Sequence, residues 1–199
     1  MDKKELQRSR MIGYFTESTV KLIKSEGLAN ITTKKIGDMA GYSYATIYNY
    51  FENINDLICV AIEEIAKECG EYVKANLRGK TLKERMVNFI LLMTEFNIAN
   101  PNVYYPFLST SVDFTYFWEK TGNHFFHPAY DLLVQELKSA KEFAKKKDEE
   151  IMIICNILTN IFHAKMHFYL LMKSPSTLEE LNKEVITEVS YLFDMALKK

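Results

Sequence analysis

Apolar side chains recur at intervals of three and four residues in every long stretch of this 199-residue chain, and nowhere do they alternate for long with polar ones. A stripe of that period can be buried only along one side of a helix, so the chain is expected to be all-α. Ile12, Phe15, Thr19, Leu22 and Ile23 form the first stripe, which should stop near Gly27. Ile58, Ala61, Ile62, Ile65, Cys69, Tyr72 and Val73 form a long one, with Asn53 before it as N-cap and Asp56 three residues on. Leu82, Met86, Phe89, Ile90, Met93 and Phe96 form another, ended by Pro101 and Pro106, which mark a connecting region. Helical spacing returns from Tyr130 to Phe143, from Ile151 to Met172 and from Leu178 to Ala196. Ser174-Pro175-Ser176 joins the last two, and Thr177 ahead of Glu179 and Glu180 suits a helix start.

Composition removes several classes. With 25 Lys and Arg against 26 Asp and Glu, the chain is close to neutral and is no bulk polyanion binder, although a local DNA-reading surface stays open. The longest unbroken apolar run, Leu57 to Ile62, is far shorter than a membrane span, and the start Met-Asp-Lys-Lys-Glu-Leu-Gln has no apolar signal core. Cys59, Cys69 and Cys155 are odd in number and widely spaced, as expected for buried thiols in a reducing compartment. A cytoplasmic protein without membrane attachment is expected.

Function concentrates in the short pieces between the first stripe and the long one. Thr33 to Ala40 and Tyr44 to Tyr50 read as two short helices joined by Gly41-Tyr42-Ser43, the signature of a helix-turn-helix. Ile36 and Ala40 are spaced to pack inward from the first, Ile47 and Phe51 from the second. Thr32 and Ser43 stand where each can cap a helix, and the start of the second helix would face the major groove.

The segment from Ile31 to Leu57 resembles the DNA-binding domain of TetR/AcrR-family regulators. Gly27, Thr32, Ile36, Ala40, Gly41, Ser43, Thr46, Tyr48, Tyr50, Phe51, Asn53 and Leu57 carry the resemblance, over about a quarter of the chain. It implies a DNA-binding domain over 1–52 and a helical effector-binding and dimerisation domain over 53–199. It further implies a homodimer through the last two helices, binding to double-stranded DNA at a palindromic operator, and release by a small-molecule effector. The family's phosphate-contacting Tyr falls on Tyr48 and its aromatic neighbour on Tyr50. The DNA-contacting set becomes Thr32, Thr33, Lys34, Ser43, Tyr44, Ala45, Thr46, Tyr48, Asn49 and Tyr50. The chain departs from the family at Ile54, where Lys is usual, at Gly37, where Ala is usual, and at Tyr42, where Val is usual.

Ser43 to Phe51 contains no Lys or Arg, so the commonest specific contact to guanine is missing. Asn49 suits adenine, and Ala45 and the Thr46 methyl suit thymine. An A·T-rich half-site follows. Residues 1–60 hold eight Lys and Arg, with Lys3, Lys4, Arg8, Arg10, Lys34 and Lys35 clustered, and seven Asp and Glu. Modest salt dependence is expected. The N-terminal cations read equally well as a solvated tail or as an arm on phosphates.

Residues 89–130 hold 12 of the 26 aromatic side chains, about twice an even share. Core packing explains many of them. The family's effector pocket falls in the same region, and Phe89, Met93, Phe96, Tyr104, Tyr105, Phe114, Phe117, Trp118, His124 and Phe125 are the candidate lining for an apolar or aromatic effector. Glu95, Asp113 and Glu119 could meet a positive charge.

Asn156, Asn160, His163 and His167 share one side of the helix from Ile151. Two His at i and i+4 can ligate a metal, yet no third ligand is evident, and a polar seam, either solvated or hydrogen-bonded at an interface, is the better reading. No metal or other cofactor is expected. Gly79-Lys80-Thr81 resembles the end of a phosphate loop, but Lys74 stands where its first Gly is required. No GxSxG, GxGxxG or Glu-x-x-His occurs, so a non-enzymatic repressor is expected. The alternative is a helical ligand-binding protein whose helix-turn-helix no longer reads DNA.

Overall fold

The computed structural model describes residues 2–108, 112–115, 119 and 128–198. These contain nine α-helices and no strand: α1 (Lys3–Glu26), α2 (Thr33–Ala40), α3 (Tyr44–Ile47), α4 (Ile54–Asn76), α5 (Leu82–Ala99), α6 (Pro101–Leu108), α7 (Pro128–Ser139), α8 (Asp148–His167) and α9 (Leu178–Ala196). Packing divides the chain into two compact units. The first takes residues 1–66 and 100–126, the second 67–99 and 127–199. The boundary placed at 52/53 from sequence coincides with the cap of α4, whereas packing groups the first half of α4 and the whole of α6 with the N-terminal helices.

In the first unit, α1 opens on a reciprocal cap. The Glu5 amide donates to Asp2 Oδ1 (2.7 Å) and the Asp2 amide to Glu5 Oε2 (2.9 Å). Lys3 to Arg10 are therefore the first turns of a helix, neither a loose tail nor an extended arm. The helix closes at Gly27, whose φ of 76° is one that side-chain-bearing residues rarely adopt. Met11, Phe15, Leu22, Ile36, Ile47, Phe51 and Leu57 close a single core. Each fully buried aliphatic side chain there stabilises the unit by roughly 1.5–3 kcal/mol. Asn102 of α6 donates to the Lys24 carbonyl (3.0 Å) and joins that helix to the end of α1.

Two expectations are corrected here. Pro101 and Pro106 do not merely interrupt the chain. Pro101 is the first residue of α6, where a proline's missing N–H would have had no helical partner, and Pro106 lies inside the same helix. The second short helix is also shorter than expected. α3 stops at Ile47, and the amides of Asn49 and Tyr50 bond three residues back (3.2 and 3.0 Å) in tighter turns.

In the second unit, α9 packs on α5 and α8, with Leu181, Val185, Val189 and Phe193 inward. Phe193 stacks on Phe143 at 5.9 Å. Lys83 pairs with Asp194 (2.7 Å), Lys165 with both Glu184 (2.8 Å) and Glu188 (2.5 Å), and Arg85 with Glu136. Thr177 caps α9 through the Glu180 amide (3.2 Å), as expected. α8 runs on into a wider turn over Phe168–Met172. Cys59, Cys69 and Cys155 are buried and unpaired, and burial pushes the first two thiols up to about 12.

Candidate nucleic-acid interface

The helix-turn-helix forms because small residues stand where backbones meet. Gly41 adopts the left-handed conformation (φ 77°, ψ 25°) and ends α2. Gly37 makes room for the turn: a Cβ there would sit 2.8 Å from the Tyr42 carbonyl oxygen and 3.0 Å from the Tyr44 nitrogen. The Tyr42 amide donates to the Gly37 carbonyl at 2.9 Å, so the turn is drawn onto the position that lacks a side chain. Thr32 caps α2 by accepting from the Lys35 amide (3.2 Å). Ser43 does not cap α3 in the expected way. Its hydroxyl lies 3.0 Å from that of Thr46, and one of the two donates to the other.

The surface this creates is aromatic and neutral. Tyr44 is 58% and Tyr48 51% exposed, and they stand four residues apart, on one side. Ala45 and Asn49 share the same spacing and are exposed too. Thr33 and Thr46 are half-buried and Lys34 is exposed. Tyr50 is half-buried beside Phe15, with ring centroids 6.0 Å apart. Tyr42, the departure from the family pattern, stacks on Tyr14 at 6.4 Å.

Sequence reasoning missed what holds this surface in place. Arg8 of α1 donates to the carbonyl oxygens of Asn49 (3.0 Å) and Tyr50 (3.4 Å), and its guanidinium lies 5.4 Å from the centre of the Tyr50 ring. It thus takes up carbonyls left over where α3 gives way to turns. Forty-one residues separate Arg8 from Asn49, so no local pattern announces the contact. Lys35, counted among the cations of this face, is paired with Glu26 at 2.5 Å.

α4 starts beside this surface. The Asp56 amide donates to Asn53 Oδ1 (2.9 Å), which is the expected cap. In the same turn, Asn55 grips the backbone of Asp113: its Nδ2 donates to the Asp113 carbonyl (2.9 Å) and its Oδ1 accepts from the Asp113 amide (3.0 Å). Asp113, a candidate for a cationic effector, has one carboxylate oxygen on the Thr115 amide (3.0 Å).

Of the expected effector lining, Phe89 and Met93 are buried in the second unit. With Ile90, Ala129, Tyr130, Leu133 and Thr159 they surround a cavity of about 10 Å³, room for about one water. Phe96 lies 5.8 Å from Tyr72. Burial and the neighbouring Glu95 raise the Tyr72 pKa. Tyr104 is buried in the first unit, where burial raises its pKa, and Phe114 is half-buried there. The Tyr105 side chain and Phe117, Trp118, His124 and Phe125 lie outside the described residues. Tyr130 and Thr159 were not on the expected list, because residues so far apart in sequence meet only in the packed unit.

Residues 15–58 match the model of bacterial regulatory proteins of the tetR family. That match takes in the helix-turn-helix and ends in the first turns of α4. Similarity to solved structures extends over nearly the whole length. A TetR transcriptional regulator from Rhodococcus sp. RHA1 superposes with a TM-score of 0.68 at 14% identity, covering 94% of this chain and 96% of that one. The fatty acid degradation regulator FadR from Bacillus halodurans gives 0.65 at 16%, covering 89% and 93%. The multidrug binding protein EbrR complexed with imidazole gives 0.56 at 12%, also covering 89% and 93%. No sequence among curated proteins matches the chain. At these identities the structures establish a TetR-like fold: an N-terminal helix-turn-helix domain followed by a helical domain.

The last two helices of the second unit leave apolar side chains exposed. Ile153 and Ile157 on α8 and Ile186, Tyr191 and Met195 on α9 are exposed, Tyr191 by 68%. Ile157, Ile161, Tyr191, Leu192 and Met195 line an open groove of about 450 Å³. By length and composition alone, residues 148–172 could cross a membrane, with a mean hydropathy of 1.2. The polar seam on α8 is partly used: Asn156 accepts from the Tyr130 hydroxyl (2.9 Å). His163 is half-buried with its ring edge-on to Phe162 (5.1 Å), and His167 is similarly placed against Phe168 (5.9 Å). Among the described residues no three His, Cys, Asp or Glu side chains gather as a metal site would require.

Proposed function

We propose that this chain is a non-enzymatic transcriptional regulator that represses from a palindromic operator as a homodimer and is released by a small apolar or aromatic effector. The observation that carries this reading is the helix-turn-helix itself, with Tyr44, Ala45, Tyr48 and Asn49 exposed together. An assembled turn that leaves two large aromatic side chains in water, four residues apart, suits a surface that meets a partner. Tyr48 contacts phosphate, and Tyr44, Ala45, Thr46 and Asn49 meet base edges. Thr32, Thr33, Lys34 and Ser43 flank them on the backbone.

The exposed apolar stripes of α8 and α9 support dimerisation through those helices, because such surface in water favours burial against a second copy. This use also accounts for the apolar length of α8. Phe89 and Met93 belong to the effector site, whose small cavity widens when a ligand enters. The names of two structural neighbours, a fatty acid degradation regulator and a multidrug binding protein, agree with an apolar effector. The mechanism is a coupling free energy between effector and DNA, carried by α4, one continuous helix with residues in both units.

A gel-shift titration at low salt against selected duplexes tests the reading. Binding of one dimer per palindrome is expected, and Tyr48→Ala should weaken it about tenfold or more, the value of a hydrogen bond to a charged group. Light scattering should report twice the monomer mass. A second reading has one observation in its favour: Lys35 and Arg8 are both engaged within the protein, which leaves the face poor in cations. Under that reading the chain binds ligand without reading DNA, and Tyr48→Ala changes nothing.

A further inference from the structure

The chemistry of the exposed face restricts what sequence it can read. Between Ser43 and Phe51 there is no cationic side chain. Of the cations on the neighbouring helices, Arg8 is held by the Asn49 and Tyr50 carbonyls and Lys35 by Glu26. Lys34 is exposed on α2, the helix that crosses the backbone in this motif, where it meets phosphate rather than bases. Bidentate recognition of guanine O6 and N7 needs Arg or Lys in the groove, and the reading segment carries neither.

What remains is uncharged: methyl groups, aromatic rings, hydroxyls and one carboxamide. The Ser43 and Thr46 hydroxyls share one hydrogen bond at 3.0 Å, and Thr46 also carries a methyl group. Ala45 offers a methyl and Tyr44 a ring, both exposed. Asn49 has an exposed carboxamide, and its backbone is engaged on both sides, the amide by the Thr46 carbonyl and the carbonyl by Arg8. Methyl groups and aromatic faces are matched by the thymine C5-methyl, and a carboxamide by adenine N6 and N7.

We infer that this helix-turn-helix reads thymine methyl groups and an adenine edge, so that the contacted core of each half-site is A·T; the inference rests on the regulator reading above. Apolar contact reads the thymine methyl groups, and the Asn49 carboxamide reads the adenine edge. Affinity then depends on the thymine methyl and the adenine N6 donor, which a G·C pair does not present in those places.

The test is selection from random duplexes by the full-length protein at low salt, followed by single-atom changes in the selected site. Deoxyuridine in place of thymine removes only the methyl group. Each contacted position should lose about fourfold in affinity, the value of withdrawing one methyl from water. 7-Deazaadenine at the Asn49 position should cost fivefold or more in the natural protein and nothing further in Asn49→Ala. Circular dichroism checks that this exposed-site variant is folded. Selected half-sites with a G·C core, or an A·T core indifferent to both analogues, would overturn the inference while leaving the regulator reading intact. No enriched duplex, including after the protein is unfolded and refolded to strip bound molecules, would overturn both.

Discussion

The side-chain amide of Asn55 pairs with the backbone of Asp113 in both directions, at 2.9 and 3.0 Å, much as one strand residue pairs with another. The Cys59 thiol, one turn further along α4, also reaches the same carbonyl at 3.8 Å. A segment far away in sequence is thereby clipped to the first turn of the helix that follows the helix-turn-helix. Asn55→Ala removes both bonds, each contributing about 1 kcal/mol net. Hydrogen exchange should show the Asp113 amide losing protection by at least tenfold, with the amides of α1 unchanged. Equal protection in the variant would mean the segment is held by something else.

Gly37→Ala should damage the reading head without touching its surface. The added Cβ meets backbone atoms at 2.8 and 3.0 Å, so the turn at Tyr42 must move. Overpacking of this kind costs about 1–3 kcal/mol. Thermal unfolding should drop by several degrees, and DNA affinity should fall even where the protein remains folded. The family's usual residue at this place is alanine, so an unchanged melting temperature would show that the turn has slack that its close contacts conceal.

Arg8 and Lys34 should behave differently although both are cations near the same face. Arg8 braces the carbonyls of Asn49 and Tyr50. Arg8→Ala should therefore lower stability and DNA affinity while leaving the slope of affinity against salt unchanged. Lys34→Ala should leave stability alone and reduce that slope by about one, as expected for a lost phosphate contact. Binding isotherms at several salt concentrations separate the two. A reduced slope for Arg8→Ala would place that side chain on DNA instead.

His163 gives a pH dependence with a definite sign. Burial lowers its pKa from the usual 6.5. The unfolded chain takes up a proton near that value, and the folded chain does so only at lower pH. This contribution to stability is therefore complete above about pH 7 and declines as pH falls through 6.5 towards the depressed value. Urea midpoints should fall between pH 7 and pH 5.5, and His163→Gln should flatten part of that decline. An identical slope in the variant would assign it to other groups.

Much of this molecule is legible one element at a time. Local spacing is enough to mark an apolar stripe, and a cap involves residues three apart. Thus α1, α4, α5 and α9, with Gly27, Asn53 and Thr177 at their ends, follow from neighbours in the chain. The helix-turn-helix is legible for the same reason: Gly41 and the inward Ile36 and Ile47 lie within a dozen residues. So is the lack of cations between Ser43 and Phe51. The tertiary structure decided whatever depends on distance. Arg8 braces the end of α3 across forty-one positions, Asn55 holds Asp113 across fifty-eight, and Lys35 is engaged by Glu26. It also made Ser43 a partner of Thr46 rather than a cap, turned Pro101 into a helix start, and drew Tyr130 and Thr159 to Phe89. A local pattern records which face of a helix prefers to leave water. Which partner a charged or polar side chain finds there is set only when the faces have packed and each donor must be satisfied within reach.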